Sequence, residues 1–170
     1  TDEERLQLFA AAVEAIGDRA SVVAGTGTYS TAHSVHLTRE AEAIGVDGYL
    51  VVTPYYNKPP VRGTVAHFAA IANETDKPII AYNIPQRVVV NLEPEALAQL
   101  AKIPNVQYVK QATTDPDQIR SWGRDLPDAN VALVTGVACD VVDTDPDTGR
   151  RAFKALARHQ GSLGPVQTAL

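Results

Sequence analysis

The sequence predicts an α/β fold built on a parallel sheet, and three observations carry that expectation. Strand-like and helix-like segments alternate five times, at a spacing of roughly 25–30 residues, as repeated strand–helix units require. The strand-like segments are nearly all apolar, as strands covered on both faces are. Glycine or polar residues gather where four successive strands end: Gly25-Thr26-Gly27, Tyr55-Tyr56, Tyr82-Asn83 and Lys110. In a parallel sheet that rim is where ligands bind, whether the sheet is open and doubly wound or part of a (β/α)8 barrel. The residues by themselves leave both architectures open.

The first element is a helix. Thr1 caps it, Glu4 completes a capping box, Leu6, Phe9, Val13 and Ile16 recur at helical spacing, and Gly17 stops it. Val22-Val23-Ala24 is a short strand that runs into Gly25-Thr26-Gly27-Thr28. Ser30-Thr31 caps the next helix, with Val35, Leu37, Ala41 and Ile44 inward and Gly45 as its stop. Gly48 to Thr53 is the second strand, followed by a loop, Pro54-Tyr55-Tyr56-Asn57-Lys58-Pro59-Pro60, stiffened by its prolines. Val65 to Ala72 is helical, and Ile79 to Asn83 is the third strand, ended by Ile84-Pro85. Pro94 opens a helix through Leu97 and Leu100. Asn105 to Thr113 holds the fourth strand, with Lys110 at its carboxyl end. Asp115-Pro116 opens a polar helix carrying Ile119 and Trp122, and Val131 to Thr135 is the fifth strand. Beyond Gly136 the alternation fades into an acidic turn-rich loop, 143–149, and a basic helix from Arg151 to His159. Residues 1–136 therefore form the βα domain, and 137–170 a divergent, mainly helical segment.

Composition narrows the function. The 170 residues suffice for one domain with a core, and 45% hydrophobic with 21% charged residues is ordinary for a globular protein. A net charge of -5 without a Lys/Arg cluster argues against a nucleic-acid surface. The single cysteine, Cys139, has no internal disulfide partner, which suits a reducing cytoplasm and a packed apolar role. No apolar run approaches the roughly 20 residues of a membrane helix, and no signal-peptide pattern is read at the start.

Lys110 is the centre of the candidate site. A lysine at a strand end is either a solvated terminal residue or a buried amine. Burial disfavours the ammonium form and leaves a nucleophile for carbonyl carbons. Tyr82, on the preceding strand, is either core or a proton shuttle beside that amine. Arg87 is either a surface residue or a two-pronged holder of a substrate carboxylate. Gly25-Thr26-Gly27 lacks the third glycine of a dinucleotide turn and the lysine of a P-loop, which argues against a nucleotide. His33 and His36 lie three apart on a helix but have no third ligand at suitable spacing, so a solvated face is expected and no metal.

Four motifs carry a resemblance to a known family. They are Val22-Val23-Ala24-Gly25-Thr26-Gly27, Val52-Thr53-Pro54-Tyr55-Tyr56-Asn57-Lys58-Pro59, Ala81-Tyr82-Asn83-Ile84-Pro85-Gln86-Arg87 and Val109-Lys110-Gln111-Ala112-Thr113. Their order and spacing resemble the dihydrodipicolinate synthase family, pyruvate-dependent class I aldolases with a (β/α)8 barrel. The resemblance covers residues 1 to about 136. It implies that Lys110 forms a Schiff base with pyruvate, that Tyr82 relays protons, and that Tyr56 completes the relay in a neighbouring subunit. It implies Arg87 and Gly136 as substrate-binding residues, L-aspartate-4-semialdehyde as the second substrate, and lysine or diaminopimelate biosynthesis as the setting. It further implies a cytoplasmic homo-oligomer, a dimer or tetramer, with no metal or organic cofactor because the pyruvate imine is the electron sink.

The chain also departs from the family. The family's first two strands, and the Thr-Thr-Gly-Glu loop that completes the relay, have no match here. Its acidic pair after Gly136 is replaced by Val137-Ala138. About five of eight βα units are therefore expected. In feedback-inhibited members lysine binds near the tyrosine loop, where Tyr29 and His33 replace an asparagine and a glutamate. Two alternatives stand beside the synthase: a related aldolase acting on a keto-deoxy sugar or N-acetylneuraminate, and a non-catalytic remnant serving as an assembly partner.

Overall fold

A computed structural model describes residues 1–113, 115, 117–118, 121–122 and 131–135. The elements run α1 (Asp2–Ile16), β1 (Val23–Gly25), α2 (Thr31–Ile44), β2 (Gly48–Val52), α3 (Val61–Ala72), β3 (Ile79–Asn83), α4 (Pro85–Val88), α5 (Pro94–Leu100), β4 (Val106–Gln111) and β5 (Ala132–Thr135). Gly136, Cys139, Ile119, the 143–149 loop, the Arg151–His159 helix and the rest of 137–170 lie outside the described residues. Of the polar helix expected after Asp115, residues 117–118 and 121–122 are helical, and Trp122 is buried.

The five strands form one sheet in the order β1-β2-β3-β4-β5, and every neighbouring pair is parallel. A doubly wound sheet reverses its strand order at a switch point. Here order in space follows order in the chain, so the sheet winds in one direction, as a barrel wall does. That removes the open doubly wound alternative.

Side chains alternate across the sheet, as the period of a strand demands. Ala24, Tyr49, Val51, Ile79 and Ala81 are fully buried, and Val109 nearly so. They pack in one core with Ala41 of α2, Phe68 and Ile71 of α3, and Leu97 and Leu100 of α5, all buried. Each such large side chain contributes about 1.5–3 kcal/mol on removal from water. The other phase is less covered: Val23 is 44% exposed, while Leu50, Val52, Ile80, Tyr82 and Lys110 are half-buried. The expectation of strands covered on both faces therefore holds for the helix-facing side only, among the described residues. This second face is the one a barrel turns toward its axis.

Local chemistry explains the helix ends. The Thr1 hydroxyl accepts the Glu4 N–H at 3.2 Å while the Glu4 carboxylate takes the amino terminus at 2.7 Å. Ser30 caps α2, and Gly45 ends it at φ 94, a left-handed conformation open to glycine. At the other end of α1, Gly17 keeps a right-handed conformation, φ -59. No α1 residue is buried, and Ile16 is 37% exposed. The expected inward stripe is reduced to Phe9, Ala12 and Val13, partly buried against the core. No helix among the described residues is long and apolar enough to cross a membrane.

Candidate active site

Lys110 and Tyr82 are register partners on β4 and β3, next to Val52 on β2 and Val134 on β5. The Lys110 Nζ lies 4.3 Å from the centroid of the Tyr82 ring. The amine is half-buried against that ring, neither fully solvated nor fully enclosed.

A bulge sets this meeting. Ile79 pairs with Val106 while Ile80 pairs with Tyr108, so Gln107 is the extra residue of β4. Continued without it, the Ile79–Val106 register would place Val109 beside Tyr82 and turn Lys110 to the helix-facing side. With it, Tyr108 and Lys110 share the face of Ile80 and Tyr82. Burial pushes the Tyr108 phenol above its ordinary range, which keeps it protonated.

Arg87 sits on α4, a single turn just past the end of β3. It is exposed, and its guanidinium has no ion-pair partner among the described residues. Such an unpaired fork is suited to a small carboxylate. Tyr56 is 90% exposed and adopts φ 68, so its ring lies outside the Lys110–Tyr82 contact of its own chain. The loop around it is tied down: Asn57 Nδ2 donates to the Tyr29 carbonyl at 3.0 Å, and the Tyr29 and Tyr55 rings meet edge-on at 5.5 Å. Gly27 is required by close packing, since a Cβ there would lie 2.4 Å from the Val52 nitrogen.

His33 does not pair with His36. Its Nε2 lies 2.7 Å from the Asp2 carboxylate of α1, a partner 31 residues away that local spacing could not reveal. That bond, foremost, and the nearby charge hold the Asp2 carboxyl below its usual range. Among the described residues no group of three metal-ligating side chains comes together.

Behind the site lies a polar network that sequence reasoning passed over. Asn83 and Gln111, one residue past Tyr82 and Lys110, face the helix side and are fully buried. Asn83 Nδ2 donates to Gln111 Oε1 at 3.0 Å and to Asn91 Oδ1 at 2.9 Å. Gln118 Nε2 reaches the same Asn91 oxygen at 2.6 Å. Thr53, fully buried just past β2, donates its N–H to the Tyr82 carbonyl at 3.1 Å. The available signal was an Asn and a Gln on the buried phase of otherwise apolar strands.

A one-way parallel sheet with a lysine and a tyrosine paired at the carboxyl ends of adjacent strands is the arrangement of a (β/α) barrel wall with its polar rim at the strand ends. The profile of the dihydrodipicolinate synthetase family matches residues 1–141. The 4-hydroxy-tetrahydrodipicolinate synthase of Mycobacterium leprae (strain Br4923) is 47% identical over 136 residues, which cover 80% of this chain and 44% of that protein. The synthase of the same name from Moorella thermoacetica is 50% identical over 127 residues, 75% of this chain and 44% of that one. Among solved structures, dihydrodipicolinate synthase from Aquifex aeolicus superposes with a TM-score of 0.76 at 31% identity, covering 95% of this chain and 64% of its own. The chain belongs to the dihydrodipicolinate synthetase family, and its sheet is a five-strand arc of a (β/α)8 barrel. It spans about half the length of the curated relatives it matches.

Proposed function

We propose that this chain supplies the Schiff-base half of a 4-hydroxy-tetrahydrodipicolinate synthase, which condenses pyruvate with L-aspartate-4-semialdehyde in lysine and diaminopimelate biosynthesis. The observation that carries the reading is the contact of the Lys110 amine with the Tyr82 ring, 4.3 Å to its centroid, on register-matched strand ends. The synthase names of the relatives support it.

In this reading the unprotonated Lys110 Nζ attacks the ketone carbon of pyruvate, and water leaves to give an imine. Loss of a methyl proton gives an enamine, with the imine nitrogen taking up the electron pair. The enamine carbon attacks the aldehyde, which takes up a proton to become a hydroxyl, and the semialdehyde's amino group then adds to the regenerated imine carbon and expels the Lys110 amine, closing the ring. Tyr82 moves protons next to the amine. Arg87, exposed and unpaired, holds the aldehyde's carboxylate, and Gly136 contributes to pyruvate binding. Tyr56 completes the relay in a second subunit of a homo-oligomer in this reading, and its 90% exposure on a tethered loop supports that role. The lysine supplies the electron sink, so the reaction calls for no metal or organic cofactor. A lone Cys139 accords with a reducing cytoplasm.

The test is borohydride reduction in the presence of pyruvate, with the adduct mapped by mass spectrometry. A reduced pyruvate adduct on Lys110, lost in Lys110→Ala, supports the reading. No adduct, or one on another lysine, refutes it. A screen of aldehydes then separates the synthase from other pyruvate aldolases.

A further inference from the structure

Arg87 is carried by the 84–92 loop. The chain leaves β3 at Asn83, makes the single turn of α4, and returns at Leu92, whose side chain is 1% exposed. α4 spans four residues and closes at Val89 with φ 67, so it has little rigidity of its own. The position of Arg87 therefore depends on what holds the two ends of the loop together.

That stem is one side chain. Asn83 Oδ1 accepts the Leu92 N–H at 3.0 Å, while its Nδ2 donates to Asn91 Oδ1 at 2.9 Å and to Gln111 Oε1 at 3.0 Å. Asn91 is held in turn by Gln118 at 2.6 Å and donates to Glu93 at 2.7 Å. Gln111 Oε1 also takes the Thr113 N–H at 3.1 Å. Both loop ends and the end of β4 thus converge on Asn83, which is fully buried, and Gln118 joins them through Asn91. Buried amides in such networks fix one arrangement because each alternative leaves a polar atom without a partner.

We propose that Asn83 is the positioning residue for Arg87: its side chain closes the 84–92 loop and thereby sets where the guanidinium meets a substrate carboxylate. The closing of the loop stands on the geometry, and the carboxylate rests on the proposed function. Tyr82 and Lys110 lie one residue before Asn83 and Gln111 and face the other side of the sheet, so the amine is fixed by the ladder and the guanidinium by the amide stem.

Two variants of the full chain test this. Asn83→Ala removes the stem. Because a hole at a buried site can unfold the chain, Asn91→Ala cuts the same stem from the loop side. Amide exchange, measured without substrate, should quicken about tenfold in the 84–92 loop and stay unchanged in β2 and β4. At saturating pyruvate, KM for the carboxylate-bearing aldehyde should rise about tenfold. KM for a carboxylate-free aldehyde, kcat and imine trapping on Lys110 should not change. In an Arg87→Ala background the stem variants should add nothing further. Unchanged loop exchange in a folded variant overturns the proposal, and so does an equal rise in KM for both aldehydes. An unsubstituted chain that forms no Lys110 imine refutes the proposed function instead, and loop exchange then decides the positioning role by itself.

Discussion

His67 ought to make this fold acid-sensitive at a higher pH than its carboxylates do. It lies on α3 at 3% exposure, with Nδ1 2.9 Å from the Thr31 hydroxyl of α2 and Nε2 buried without a hydrogen-bond partner among the described residues. Burial pushes its pKa down from 6.5 to about 4. The unfolded chain therefore takes up a proton as pH falls through about 6.5, while the folded chain does not until about 4. Between those values the unfolded state binds more protons, so stability rises with pH and is fully present above the unfolded pKa. The loss between about pH 7.5 and about pH 5 is about 2 kcal/mol, and the full gap corresponds to roughly 3 kcal/mol. His67→Gln keeps a group able to bond Thr31 but removes the titration. Urea unfolding at the two pH values should show wild type losing about 2 kcal/mol more than the variant. Carboxylates shared by both proteins cancel in that difference. Equal losses in the two proteins would refute the argument that burial keeps His67 neutral.

Three further outcomes follow from particular contacts. Gly27→Ala should cost about 1–3 kcal/mol in thermal or urea unfolding, since its Cβ would lie 2.4 Å from the Val52 nitrogen and 2.9 Å from the Val51 Cα, and backbone must move. Deleting Gln107 should remove the bulge while leaving Ile80 opposite Tyr108 and Tyr82 opposite Lys110, so the trapped pyruvate adduct should persist in mass spectrometry, and its loss would refute Gln107 as the extra residue. Gln107→Ala, which keeps the bulge, should retain both adduct and stability. A full-length enzyme carrying this segment should keep its activity in about 1 mM L-lysine. Tyr29 stacks edge-on with Tyr55 and His33 is committed to Asp2, so neither supplies the carboxylate that a desolvated ammonium needs, a loss worth about 2–5 kcal/mol. Strong inhibition below that concentration in an activity assay would count against this.

Much of the frame was legible in the sequence because it is written locally. Thr1 with Glu4, Ser30, Gly45 and Pro94 mark helix ends through contacts within a turn of the chain, and each stands where expected. The apolar runs at Gly48–Val52 and Ile79–Asn83 became strands with nearly the expected bounds. Features set at long range were not legible. Asp2 reaches His33 across two helices, and α1 proved too peripheral to bury its apolar stripe. The turn of α4 was hidden because Ile84-Pro85 reads as a strand end, and it depends on tertiary bonds from Asn83.

The candidate site shows why a motif can be found before its geometry. Each strand end uses two successive residues for different tasks. Tyr82 and Lys110 face one side and meet each other; Asn83 and Gln111 face the other and bind each other. Alternation within a single strand gives this division. It does not say that the faces of two strands agree, because one extra residue reverses the phase of everything after it. Gln107 is that residue, and nothing in Asn105-Val106-Gln107-Tyr108 marks it. Lys110 was placed on the correct rim from its sequence position, but its meeting with Tyr82 depends on a bulge three residues earlier, and the bulge is visible only in the pairing of β3 with β4.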